Sequence, residues 1–538
     1  MPPALQWTPA RVPPTFDAAD LPSYVAQFRS PQHILYDPSR QRLGLGLEGS
    51  VSAAPAAFGP SYPLAGSLPP LYPEWLGDRS FQETHGVRFA FVGGAMARGI
   101  GSARLVIELA RCGMLGFFGA AGLSVERVAR EIAFIRQALD PLGLPFGANL
   151  IHSPDEPELE DRIVDLYLAQ HVHRVSASAF MRLTPSVVRY AATGLHRTAS
   201  GHIRRRNHVF AKISRPEVAR MFMAPPPDDL LGPLYQAGHL TAEEVHLARQ
   251  IPLAGDITVE SDSGGHTDNR PLASLFPVIM NLRKEVRTLT PLPQPIRIGA
   301  AGGLGTPASV ASAFALGAAF VLVGSALQAA VESGLSTEGK LLLAQAGPAD
   351  VMMTAAGDMF EMGVKVQVLK KGTMMGLRGN QLYELYKRYD SLEAIPPQTR
   401  QRLEETVFQM PIDAVWQKVK SYLQARPEEI ARAEQDPKHK MVRVFKWYFG
   451  MSSRWPLDGT QGRVLDYQIW CGPAMGAFND WVRGSILEPP EQRTARQIAL
   501  NMMEGAALLT RVHQLRTFGL PIPQEAFTYT PVLLDLLD

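Results

Sequence analysis

Cysteine is nearly absent: Cys112 and Cys471 are the only two in 538 residues. That excludes a disulfide framework and any CxxC zinc or redox motif, and makes a reducing cytosol the expected compartment. An excess of one charge sign is missing too. Lys+Arg number 53 and Asp+Glu 51, a net of +2, so no strong basic field exists to hold nucleic acid or an anionic membrane. The motifs GxxxxGK(S/T), HExxH and GxSxG do not occur, which removes P-loop, zincin and nucleophile-elbow chemistry. The opening MPPALQWTPARVPP has no apolar run after its first charge, so no signal peptide is expected. One stretch, Val310–Val331, carries no charge. It is read as a small-residue helix over Ala308–Leu316, started by Thr306-Pro307, followed by a short buried strand, and not as a membrane span.

What is present is globular: 46% hydrophobic and 19% charged residues. At ~100–200 residues per domain the length allows several domains, or one large barrel with additions. Residues 1–84, rich in Pro, Ala and Gly, read as an irregular region with short strands around Ile34–Tyr36. From Val87 eight short apolar runs end in turn residues: 88–94, 113–122, 144–152, 172–178, 208–214, 254–261, 295–303 and 318–325. Helix candidates lie between them at 102–111, 124–139, 156–170, 184–192, 216–223 with 241–250, 272–287 and 307–316. Eight strand–helix alternations predict an α/β fold, a (β/α)8 TIM barrel over residues 85–335. Residues 336–538 are expected to be mainly helical and packed on the barrel.

In such a barrel the C-terminal strand ends form the site. Two late strands, in RIGAAGGLGTP (297–307) and VLVGSA (321–326), end in glycine before a helix start. Gly302, Gly303, Gly324 and Ser325 there offer backbone N–H groups to a phosphate, or else only pack strand against helix. After the sixth strand, VESDSGGHTDNRP (259–271) places Glu260 before a Gly-Gly bend and His266 beyond it. His266 is the candidate acid or hydrogen-bond donor, against a reading in which it caps a loop and Asp262, Asp268 and Arg270 form a surface ion network. After the first strand, Gly93, Gly94 and Ala95 carry little side-chain bulk and leave room for a planar ring, beside the soft, polarizable Met96. GIGSAR (99–104) lacks the third glycine of a dinucleotide fingerprint. Asn149, Ser176 and Lys212 close other strands, either as polar site groups or as helix caps. His171 and His173 have no third ligand nearby, so no metal is expected. His202 with Arg204–Arg206 forms a basic cluster, a solvated loop or a docking spot for an acidic carrier.

The motifs GGAMARGIGSARLVIELARCGMLGFFGAAGL, GANLIHSPDEPELE, DITVESDSGGHTDNRPL, RIGAAGGLGTP, DMFEMGVKVQVLKKGTMM and DYQIWCGPAMGAFNDW resemble the PfaD family. These are trans-acting enoyl reductases of polyketide and polyunsaturated fatty-acid synthases. The resemblance runs from about residue 85 to about 495. The barrel part is similar to the wider group of FabK-type reductases and nitronate monooxygenases. This resemblance implies FMN at the strand C-terminal ends, NADPH or NADH as hydride donor, and an enoyl thioester on an acyl carrier protein as substrate. It places Gly94, Ala95 and Met96 by the flavin ring, and Asn149, Ser176 and Lys212 among its polar contacts. Glu260, Gly264 and Gly265 fall under the ribityl chain, Gly302, Gly303, Gly324 and Ser325 at the phosphate, and His266 at the catalytic position. ESDSGGH is one residue shorter than that group's usual acid-to-His spacing. Two other readings stand beside it: a flavin oxidase of the nitronate monooxygenase kind, and a non-catalytic barrel protein serving as scaffold. A flavin-free barrel using Lys212 as a Schiff base is a further one. The expected setting is cytoplasmic, without nucleic acid or membrane as partner.

Overall fold

Eight strands, one from each apolar run, pair in parallel and close on themselves: β1 (Phe91–Gly93), β2 (Leu115–Phe118), β3 (Gly147–Ile151), β4 (Arg174–Ser178), β5 (His208–Ile213), β6 (Asp256–Glu260), β7 (Arg297–Ala301) and β8 (Val321–Val323). The computed structural model describes residues 5–56, 59–153, 156–289 and 295–535. Closure comes where β8 pairs with β1, Val321 opposite Phe91 and Val323 opposite Gly93. The strands read as continuous apolar runs because helices cover the outside and side chains fill the inside, so neither face meets water.

The helices begin where cap residues dictate. Helix α1 (Ala103–Arg111) starts at Ser102, whose side chain accepts from the Leu105 N–H. Helix α2 (Val125–Leu139) starts at Ser124, which accepts from the Arg127 N–H. Thr306 caps Pro307–Ala315 with a capping box. That helix and β8 divide the uncharged stretch as expected, and among the described residues no helix is long and apolar enough to cross a membrane.

The N-terminal mouth of the barrel is plugged by the helix Arg79–His85. Phe81 stacks on Phe320 at 4.6 Å and meets Phe210 edge-on at 6.1 Å. Burying a phenylalanine contributes about 1.5–3 kcal/mol, so this aromatic cluster is a substantial part of the barrel's core.

The N-terminal region is more regular than its composition suggests. It holds a five-stranded antiparallel sheet built from Gln6–Pro9, Gln32–Asp37, Arg42–Gly46, Gly49–Ser52 and Tyr62–Leu68. Its glycines are seats for aromatic rings. A Cβ at Gly46 or Gly49 would lie 2.8 or 2.4 Å from the Trp7 ring, and one at Gly44 would lie 2.4 Å from Phe16. The sheet packs through Ile34 and Leu45 onto Val512 and Leu515 of the long helix Ala495–Thr517. The C-terminal region is helical with one exception, a hairpin of β9 (Val351–Ala355) and β10 (Lys365–Leu369). Strand β10 also pairs with the two-residue strand Gly265–His266.

Candidate active site

The polar groups singled out in the sequence converge on the C-terminal rim. At the end of β5 the Lys212 Nζ lies 2.8 Å from Glu260 Oε1 at the end of β6, and the Ser263 hydroxyl donates to the same oxygen at 3.1 Å. Lys212 is thus salt-bridged to Glu260. Asn149 is buried; its Nδ2 donates to the Ser176 carbonyl at 3.0 Å and to Ser178 Oγ at 3.3 Å. The Asn149 carbonyl in turn accepts from the Tyr167 hydroxyl at 2.7 Å. Asn149 and Ser176 therefore lock β3 to β4, and Ser176 enters that contact through its backbone.

The phosphate-type loops are adjacent by register. Ala301 pairs with Leu322, so Gly303 and Gly324 both stand two residues beyond one rung of the ladder. A Cβ at either would meet nothing within 4 Å, so both backbones face open space. Gly302 instead faces the neighbouring loop: its φ is +84° and a Cβ would come 2.5 Å from Ser261 Oγ. Ser325 spends its hydroxyl on the Gly472 N–H at 3.1 Å, leaving its backbone to the rim. Gly94 closes the ring of strand ends, its N–H donating to the Val323 carbonyl at 2.9 Å. Ala95 is half-buried beside it and Met96 is buried.

His266 sits in a loop clamped to the C-terminal region. Its strand pairs His266 with Val366 and Gly265 with Gln367. Gln367 Nε2 donates to Asp262 Oδ1 at 2.7 Å and to the Ser263 carbonyl at 2.8 Å. Asn269 Nδ2 donates to Asp262 Oδ1 at 3.0 Å, while Asp268 pairs with Arg215 at 3.2 Å. The expected ion network of Asp262, Asp268 and Arg270 does not form: Arg270 donates to the Ser214 carbonyl at 3.4 Å instead, and His266 pairs with none of the three. Its Nε2 lies 3.3 Å from Asp358 Oδ2, beyond β9. Burial would raise the Asp358 carboxyl, but His266 and backbone N–H groups hold it below the usual carboxylate range. Gly264 backs onto the segment Trp470–Gly472, where a Cβ would meet Cys471 at 2.6 Å. Gly265 has φ +81°. Cys471 is buried and burial pushes its thiol up to about 12, so it supplies backbone and no nucleophile.

Asp358, Gln367 and Asn269 were not singled out in the sequence; only the alternation VKVQVL hinted at a strand able to hold the loop. The basic cluster falls elsewhere. Arg204–Arg206 precede β5 and lie at the N-terminal end, opposite the rim. Arg205 donates to the Leu253 carbonyl at 3.1 Å, and Arg206 to His171 Nδ1 at 2.8 Å. A carrier docked there would face the wrong end of the barrel, which corrects the docking reading.

At that opposite end lies a second polar cluster. Arg297 grips Asp256 with both nitrogens, at 2.7 and 2.9 Å, and His85 Nε2 lies 3.1 Å from the same carboxylate. His85, His208 and Asp256 are close enough together to suit a metal ion. Both Asp256 oxygens are already engaged by Arg297, however, and Arg174 Nε is 3.3 Å from His85 Nδ1. The chemistry is that of a buried ion network.

Fold and rim together define a closed (β/α)8 barrel whose candidate site lies at the strand C-terminal ends. The family profile for nitronate monooxygenase matches residues 80–380, and that for the inserted helical domain of acyl-carrier-protein S-malonyltransferase matches residues 389–467. The chain belongs to the nitronate monooxygenase family, the wider group that the sequence resemblance named, and its barrel is followed by a match to that helical insert. It is 47% identical over 467 residues to a polyunsaturated fatty acid synthase polypeptide of Thraustochytrium sp., covering 85% of this chain and 31% of that protein. It is 43% identical over 436 residues to the polyketide biosynthesis protein PksE of Bacillus subtilis, covering 81% of this chain and 56% of that protein. The chain thus spans a third to just over half the length of these two curated relatives. The crystal structure of the enoyl reductase domain of MlnA, from the macrolactin biosynthesis cluster of Bacillus amyloliquefaciens, superposes with a TM-score of 0.79. It is 37% identical and covers 82% of this chain and 99% of that domain.

Proposed function

We propose that this chain is an FMN-dependent, NAD(P)H-consuming enoyl reductase. Its substrate is a trans-2-enoyl thioester on the acyl carrier protein of a polyketide or polyunsaturated fatty-acid synthase, which it serves in trans. The observation that carries the reading is the rim itself. A histidine on a clamped loop stands over a barrel mouth whose β7 and β8 ends present two glycines to open space. That space fits a phosphate held by backbone N–H groups, and Gly94 and Ala95 keep the β1 end low in bulk for a planar ring, with Met96 beside it. When bound there, FMN supplies hydride transfer from NAD(P)H to the β-carbon of the enoyl group.

The chain's own residues do the rest. Gly303, Gly324 and the Ser325 N–H hold the phosphate, with Gly302 bending the backbone beneath it. Lys212 and Glu260 form a neutral pair, so the rim at β5 and β6 presents polarity without net charge. Asn149 and Ser176 fix the β3 and β4 ends. His266, oriented by Asp358 at 3.3 Å, donates a hydrogen bond to the thioester carbonyl or a proton to the α-carbon. Gly264 and Gly265 let the segment Trp470–Gly472 close over the loop, which keeps bulk water from the reacting carbons. Residues 1–84 and 85–335 form the support and the barrel, and residues 336–538 face the carrier. The match of 389–467 to an insert in a carrier-dependent transferase supports that division.

The test is turnover under nitrogen. NADPH oxidation should match formation of saturated thioester one for one, with no oxygen present. NADPH oxidation that requires oxygen would favour the oxidase reading, and no oxidation after FMN loading would favour a scaffold.

A further inference from the structure

Beside the rim, between the loops after β1 and β2 and the C-terminal region, lies a cavity of about 550 Å³. Arg98, Arg104, Arg127 and Arg454 line it, against Glu131 and Asp458. Arg454 pairs with Asp458 at 3.0 Å. The other three guanidinium groups have no ion-pair or hydrogen-bond partner among the described residues, and Glu131 pairs with none of them. The cavity therefore holds an excess of two positive charges.

Two further features add to the field. The capping residues of α1 and α2, Ser102 and Ser124, both line the cavity, so two helix N-termini open toward it. Arg98 takes a left-handed backbone, φ +57°, and its side chain lies along Gly122, whose own φ is +74°. Burial pulls the Arg98 guanidinium below its usual range. Phe134, half exposed, supplies one flat apolar wall.

We propose that this pocket binds the 2′-phosphoadenosine end of the hydride donor and thereby selects NADPH over NADH. The inference rests on the enoyl-reductase reading for the identity of the donor. A volume of this size fits a nucleotide, since ligand pockets run to ~300–1,000 Å³. The charge decides between phosphates. A 2′-phosphomonoester carries about −1.5 to −2 at neutral pH, which matches the surplus; the phosphodiester of a carrier's pantetheine arm carries only one charge. Phe134 offers a face on which adenine stacks, and a pantetheine arm has no ring to place there. The pocket also adjoins the right place: Arg98 follows Met96, at the expected flavin-ring loop, by two residues. Arg104 and Arg127 are exposed, so they form the adjustable side of the pocket.

The test is calorimetric titration of the FMN-loaded full chain with adenosine 2′,5′-bisphosphate, adenosine 5′-monophosphate and the methyl phosphodiester of pantetheine, which keeps the single charge of the carrier-bound arm. The bisphosphate should bind about 10- to 100-fold more tightly than the monophosphate, the range for hydrogen bonds to a charged group. Arg104→Gln with Arg127→Gln should remove that advantage with the thermal midpoint unchanged, because neither side chain has a protein partner. Equal affinities in the parent chain, or an advantage that survives the double substitution, would overturn the proposal. Tighter binding of the pantetheine phosphodiester than of the bisphosphate would overturn it as well. Because the titration needs no turnover, selective bisphosphate binding in a chain that reduces no enoyl thioester would keep the pocket and sink the functional reading. Enoyl reduction without such binding would do the reverse.

Discussion

The two ends of this barrel spend polar residues in opposite ways. At the N-terminal end Asp256, Arg297, His85 and Arg174 are packed into a closed network, with the Asp256 carboxylate fully buried and bonded on both oxygens. At the C-terminal end His266 and Asp358 stay partly open to solvent, and Gly303 and Gly324 face empty space. The first arrangement has no room for a ligand and gains only if every partner is present. The second leaves groups free for a substrate. The same eight strands thus carry stability at their beginnings and chemistry at their ends.

That contrast is open to being broken. The largest expected effect is at the rim: His266→Gln should lower enoyl-reduction turnover about 10²- to 10⁴-fold, the usual contribution of a positioned acid–base group. Its unfolding midpoint should match the parent. At the other end Asp256→Ala should cost about 3–5 kcal/mol in urea unfolding, because it strands the Arg297 charge. Its turnover per folded molecule should be unchanged. If the two variants exchanged phenotypes, the division between ends would fail.

Smaller effects sharpen it. Gly324→Val fills space that a phosphate is proposed to occupy, so FMN affinity should fall about 5- to 100-fold while flavin-free stability holds; fluorescence titration reads this. Acid should act on the bottom first. Burial lowers the folded-state values of His85 and His208 below the ordinary ~6.5, so their contribution is complete above that pH. It is lost as pH falls from there through the folded values, and the melting midpoint should decline from pH 7 to 5. A His85→Gln variant should flatten that slope. Least of all, Asp358→Asn should cost less than about fivefold in turnover, since an ion pair this open to solvent contributes about 0–1 kcal/mol.

Much of this was legible in the residues. Buried parallel strands must be apolar throughout and must end in turn residues, so all eight runs and the rim positions of Lys212, Glu260 and Gly303 could be read directly. The bottom network also left a trace: β4, β5, β6 and β7 open with Arg174, His208, Asp256 and Arg297, four polar starts in apolar runs. The N-terminal sheet was hidden because glycines at 44, 46 and 49 read as irregular chain, while their purpose is to seat Trp7 and Phe16. The hairpin Val351–Leu369 and its Asp358 were hidden because their partner is His266, some ninety residues away. Local pattern carries no record of such a contact.

The most direct measurement is the anaerobic visible spectrum of the FMN-loaded chain through one cycle. NADPH should bleach the flavin band, and an enoyl-pantetheine thioester should restore it without air. A band that returns only when oxygen is admitted would contradict the account.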